Sequence, residues 1–129
     1  LYFRPIQLGD TANLWTYIDW MISASSNAAA SAIMKQLVLM DHFGRHYPPS
    51  PSEAERFWRS SSPASRAQAV TRITREAVIK AGFDPSELAQ TSVFTKEGRR
   101  QIPSRGSNAT TRAFARLLLK IEQGRVIDK

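Results

Sequence analysis

The stretch from Ser62 to Gly82 constrains the fold more than any other. Ser62 is a preferred helix-capping residue, and Pro63 suits the first helical position, where its fixed φ is pre-set and its missing N–H would be unpaired anyway. Gly82 is the residue type that most readily ends a helix in a left-handed turn. Between these marks Ala67, Val70, Ile73, Ala77 and Val78 recur at helical rather than strand spacing. The spacing predicts a helix from Pro63 through Lys80 with that row turned inward. A helix with one apolar stripe needs other elements to cover it.

The same marks recur along the chain. Thr11 or Asn13 can cap a first helix, in which Leu14, Trp15, Ile18, Met21 and Ile22 share a face. Ser23-Ala24-Ser25-Ser26 interrupts it, because serine hydroxyls compete for backbone hydrogen bonds. A second helix is predicted over 27–40, with Ala29, Ile33, Leu37 and Met40 as its apolar row and enough alanine to admit a close neighbour, as in a buried central helix. Residues 41–52, with Gly44 and prolines, read as a loop. Pro51-Ser52-Glu53 starts a short helix carrying Phe57 and Trp58. Residues 83–106 read as an irregular surface excursion, with a possible helical turn at 86–89. Thr110 caps a last helix whose apolar face is Phe114, Leu117, Leu118 and Ile121, and Gly124 stops it. Arg4 to Asp10 reads as an extended segment ending in a turn, and the start at Leu1 as cut from something longer. No strand pair of any length and no internal repeat is visible, so the expected class is mainly α.

The 129 residues suit one domain, 42% of them apolar and 22% charged, an ordinary globular balance. Eighteen Lys and Arg against 11 Asp and Glu leave a net charge of +7, which favours anionic partners. The arginines from Arg56 to Arg125 are interspersed with acids, whereas a nucleic-acid module gathers its basic residues on one face, so nucleic acid is not the expected partner. The absence of cysteine excludes disulfides, a Cys nucleophile and Cys-ligated zinc. No apolar run approaches the roughly 20 residues of a membrane span.

Chemistry concentrates at Ser25-Ser26-Asn27, where a hydroxyl and a carboxamide two residues apart sit at a helix-to-helix break. Held by two packed helices, they can act as a proton relay and a two-way hydrogen-bonding arm. Spacing alone equally supports a plain helix cap, since these are the preferred capping types. His42 and His46 are spaced i,i+4, but Gly44 and Pro48 place them in a loop and only Asp41 is near as a third ligand, so no metal or cofactor is expected. Glu97 reads as a solvated loop charge, Trp15, Tyr17 and Trp20 as core, and Ser107-Asn108 as part of the cap around Thr110.

Met21-Ile22-Ser23-Ala24-Ser25-Ser26-Asn27-Ala28-Ala29-Ala30 resembles the second motif, Ser-x-Asn, of the penicillin-recognising serine hydrolases, the β-lactamase and penicillin-binding-protein superfamily. Thr110-Thr111 through Leu119, followed by Gly124-Arg125-Val126-Ile127-Asp128, resembles a later landmark of that family, in the right order. The resemblance covers about residues 5–40 and 82–128, and 41–81 looks like an insertion. It implies the helical subdomain of a β-lactamase-like serine hydrolase of mixed α/β (α+β) class, without the β-sheet part, periplasmic or secreted. Its substrate would be a lactam, peptide or ester, and the rest of the hydrolase domain its partner. Ser25 would pass a proton to the leaving atom and Asn27 would bind the substrate's amide side chain. The family's Ser-x-x-Lys and Lys-Thr-Gly occur nowhere in the 129 residues: Ser31 to Lys35 and Ser92 to Lys96 each have one residue too many between them. The alternative is a non-catalytic basic helical domain that binds an acidic partner.

Overall fold

A computed structural model of the chain describes residues 11–91, 93–104 and 106–126. The extended segment expected at 4–10 and the Ile127-Asp128 end of the second landmark lie outside them. The fold is mainly helical: α1 (Leu14–Ser23), α2 (Asn27–Phe43), a 3₁₀ turn (Gly44–His46), α3 (Pro51–Ser60), α4 (Pro63–Lys80), α5 (Lys96–Gln101) and α6 (Thr111–Glu122). One two-residue antiparallel pair joins β1 (Leu88–Ala89) to β2 (Asn108–Ala109), with Leu88 opposite Ala109. No helix among the described residues is long and apolar enough to cross a membrane.

The helices start where capping chemistry dictates. Side-chain oxygens of Asn13, Ser26, Ser50, Ser62, Thr95 and Thr110 each accept a backbone N–H from the first turn of the helix that follows. At α3 the arrangement is reciprocal: Ser50 Oγ accepts from Glu53 N–H, and the Glu53 carboxylate accepts from Ser50 N–H. The bonds from Ser50 hold the Glu53 carboxyl below its ordinary pKa. At the other end of α4, Gly82 takes φ +77°, as its position past the helix requires.

The core forms around α2. Met34 and Val38 of α2, Val70 of α4, Val93 and Ile102 make one buried cluster, flanked by Leu37, Phe57, Trp58 and Ala67. Ile102, Val38 and Val93 are its largest fully buried side chains. Full burial is worth about 1.5–3 kcal/mol for side chains of this size. The stretch 41–81 is integral to this core, since it supplies Val70, Phe57 and Trp58.

Four expectations need correction. Within α2 Ala29 of the expected row is fully buried, but Ile33 and Leu37 are half-buried, Met40 is exposed, and the rest of the buried face is Ala30, Ser31, Met34, Val38 and Leu39. α2 has neighbours on more than one side, so no single apolar row determines its orientation. The 83–106 stretch is not a surface excursion: Phe83, Val93 and Ile102 are buried, and α5 lies where an irregular segment was expected. Residues 88–89 form β1 instead of a helical turn. Isolated apolar residues in a segment with no period are invisible to a periodicity argument, yet each can plug a core built by others. The loop expected from Asp41 also begins later, because α2 runs on to Phe43.

A buried cation is the remaining surprise. Arg66 is 6% exposed, donates through Nη1 to Trp58 O at 2.8 Å and lies 5.2 Å from the Trp58 ring centroid, so it ties α4 to α3. Its burial lowers its pKa from the ordinary arginine value.

Candidate functional site

Ser25 lies between two helix caps. α1 ends at Ser23 with Ala24 as its cap, and Ser25 takes the left-handed conformation, φ +50°, that a chain uses just past a helix. The Ser26 N–H then donates back to Trp20 O at 3.1 Å, closing the turn over the last residues of α1. Ser26 Oγ accepts from Ala29 N–H at 3.2 Å and so starts α2. The capping role that spacing allowed to any of three residues therefore falls on Ser26. That leaves Ser25 and Asn27 on either side of it, both exposed, with neither side chain in a hydrogen bond among the described residues.

Both open onto one cleft of about 330 Å³. Its walls are Met21 at the end of α1, Ser25 and Ser26 in the turn, Asn27, Ala30, Ile33 and Met34 along α2, and Gln90 and Phe94 opposite. The Phe94 wall is positioned by a buried side chain on α2: Ser31, 4% exposed, accepts the Thr95 N–H at 3.2 Å. Gly98 backs this contact, because a Cβ there would overlap Val93 and Thr95. Sequence reasoning singled out Ser25 and Asn27 but missed Phe94 and Gln90, which line the same cleft from far along the chain, and Ser31, which holds the segment next to Phe94.

Among the described residues, no charged residue lines the cleft. The cleft thus offers a hydroxyl that donates and accepts, a carboxamide that does both, and an apolar floor. Among the described residues it holds no Lys or His to act as base toward Ser25, so those residues offer hydrogen-bonding groups but no activated nucleophile.

A second, larger cavity of about 590 Å³ lies between α4, the β pair and α6. It is lined mainly by apolar residues that include Phe83, Leu88, Phe114 and Leu117. Gln90 belongs to the walls of both cavities. Ser107 and Asn108 line this second cavity: Asn108 sits in β2, Ser107 Oγ accepts from Thr91 N–H, and Thr110 alone caps α6. They are not part of the cap.

The other candidates lie elsewhere. His42 is in α2 with its ring 4.4 Å from that of Phe57, and His46 is in the 3₁₀ turn. Glu97 lies in α5, not a loop, and pairs with Arg100 at 3.4 Å. Trp15 is 74% exposed, contrary to a core role, while Tyr17 and Trp20 meet edge to face at 5.8 Å. No protein family, curated protein or solved structure matches the chain.

Proposed function

We propose that the chain is the helical part of a penicillin-recognising serine hydrolase, in which Ser25 and Asn27 form one wall of an acyl-transfer site. The observation that carries this reading is the placement of both side chains, exposed and without a hydrogen-bond partner among the described residues, on a single cleft of about 330 Å³. A cap alone requires only Ser26. In the proposed reaction a serine from outside these 129 residues attacks the substrate's acyl carbon and the bond to the leaving atom breaks. Ser25 Oγ passes the serine's proton to that atom, and water later releases the acyl group. Asn27 hydrogen-bonds the amide beside the reacting bond. The exposed apolar side chains of α6, among them Phe114, Leu118 and Ile121, support a domain completed by further polypeptide.

The test is covalent labelling of the full-length protein by a fluorescent penicillin. Ser25→Ala is expected to lower the acylation rate about 10²–10⁴-fold, the usual worth of a positioned proton-transfer group. Asn27→Ala is expected to lower it about tenfold or more, as for a lost hydrogen bond to a substrate, with circular dichroism unchanged in both. Absence of labelling, or full rates in both variants, would overturn the reading.

The alternative, a basic domain for an acidic partner, draws on the net charge of +7. Several of its cations are already paired within the fold: Arg59 with Glu55, Arg72 with Asp41 and Glu76, and Arg100 with Glu97. Association with an anionic polymer that weakens steeply with salt would favour it.

A further inference from the structure

The cavity between α4, the β pair and α6 is larger than the cleft, at about 590 Å³. That volume falls in the range of about 300–1,000 Å³ usual for small-molecule pockets. Val78 and Ala81 at the end of α4, Leu88 of β1, and Phe114 and Leu117 of α6 give it apolar walls. Leu118 and Ile121, exposed on the same helix, do not line it. The cavity and a contact between α6 and further polypeptide therefore use different side chains, apart from Phe114, which borders both.

One side of this cavity is cationic. Lys120 Nζ donates to Ala81 O at 2.6 Å and lies 5.0 Å from the centroid of the Phe83 ring, and Arg116 Cζ lies 5.9 Å from the same centroid. Ala81 and Phe83 both line the cavity. Arg112, Arg116 and Lys120 follow one another at i,i+4 spacing along α6, a helix whose one acid is Glu122. Asp84, the carboxylate next to Phe83 in the chain, is turned to the Ser86 N–H at 2.8 Å. The bond to Ala81 uses one of the three ammonium hydrogens of Lys120, and the other two can meet an anion. An apolar cavity alone suits any greasy solute, and a row of cations alone suits any anion. Their meeting at Phe83 suits a molecule that is both, with an anionic head joined directly to a hydrocarbon body.

We propose that this cavity binds a free single-chain carboxylate, a medium-chain fatty acid, with its hydrocarbon chain along Val78, Leu88 and Leu117 and its carboxylate at Lys120 and Arg116. The site is separate from Ser25 and Asn27 and does not depend on the acyl-transfer reading.

The test is isothermal titration calorimetry of the full-length protein with monomeric decanoate, hexanoate and decylammonium. Decanoate is expected to bind once per chain, and hexanoate at least about tenfold more weakly, since each buried methylene is worth about fourfold in affinity. Decylammonium, with the same chain and the opposite charge, is expected to bind at least about tenfold more weakly than decanoate, the usual worth of a hydrogen bond to a charged group. Ala77→Phe, at an exposed position on the cavity wall, is expected to weaken decanoate at least about tenfold by filling the space. Lys120→Met and Arg116→Met are each expected to narrow the preference for decanoate over decylammonium. Arg116→Met leaves the bond to Ala81 in place, so it decides the matter if Lys120→Met fails to fold. Absence of saturable binding to the full-length protein overturns the proposal, the result expected if further polypeptide fills the cavity. Equal binding of decanoate and decylammonium, full affinity in Ala77→Phe, or an unchanged preference in Arg116→Met overturns it as well. So does association with anionic vesicles without binding of monomeric decanoate.

Discussion

At Ser25 a non-glycine residue holds a left-handed backbone conformation, which costs an L-residue about 1–2 kcal/mol. Caps on both sides impose it: the Ser26 N–H returns to Trp20 O, and Ser26 Oγ begins α2. Glycine adopts this φ without penalty, whereas alanine keeps the penalty and loses the hydroxyl. Ser25→Gly is therefore expected to be more stable than Ser25→Ala by about 1 kcal/mol in urea unfolding. Equal stabilities would show that the turn is not held left-handed. The triplet was visible in the sequence as a cap with candidate chemistry, but the division of labour was not. Serine and asparagine are equally good caps, and only the path of the backbone decides that Ser26 caps and its neighbours face the cleft.

At the scale of elements, α3 shows how much depends on a single cap. Its first turn is held by Ser50 and Glu53, and the carboxylate form of Glu53 makes the return bonds. The folded pKa of Glu53 is depressed, so its contribution is present above the pKa of the unfolded chain and disappears as pH falls through the lower, folded value. Glu53→Gln is expected to flatten the acid limb of a stability-against-pH curve, with little change in its slope near neutrality. An acid limb as steep as that of the parent would remove the capping box from the account. α6 and α4 are coupled in a different way: Lys120 Nζ donates to Ala81 O at 2.6 Å, satisfying a carbonyl at the end of α4, and lies 5.0 Å from the Phe83 ring centroid. Nothing local to either helix specifies that contact, because it joins residues 39 apart.

For the molecule as a whole, apolar periodicity and burial part company. The core sits where α2, α4 and the segment from Val93 to Ile102 meet. α6 has the clearest apolar face, yet buries only Ala113, and Leu118 and Leu119 are about half exposed. Ile102→Ala is expected to cost about 2–5 kcal/mol by chemical denaturation of the 129-residue chain, from lost burial and the cavity left behind. Leu118→Lys in the same chain is expected to stay within about 0.5 kcal/mol, as for an exposed position. A large loss at Leu118 would mean that α6 packs its apolar face against the rest of the chain.

Helix starts and stops were legible in the sequence because they depend on contacts within about four residues: a serine or threonine oxygen on a nearby N–H, a proline at the first position, a glycine just past the end. The mainly helical class followed, as did the position of Ser25 and Asn27 at a break between helices. The tertiary structure alone decided which face of each helix turns inward, that Arg66, Val93 and Ile102 are buried, and that Phe94 closes the cleft opposite Asn27. Those outcomes depend on packing between residues far apart in the chain. One such case is the bond between Ser31 and Thr95, 64 positions apart, and no local pattern encodes which distant surface a side chain will meet.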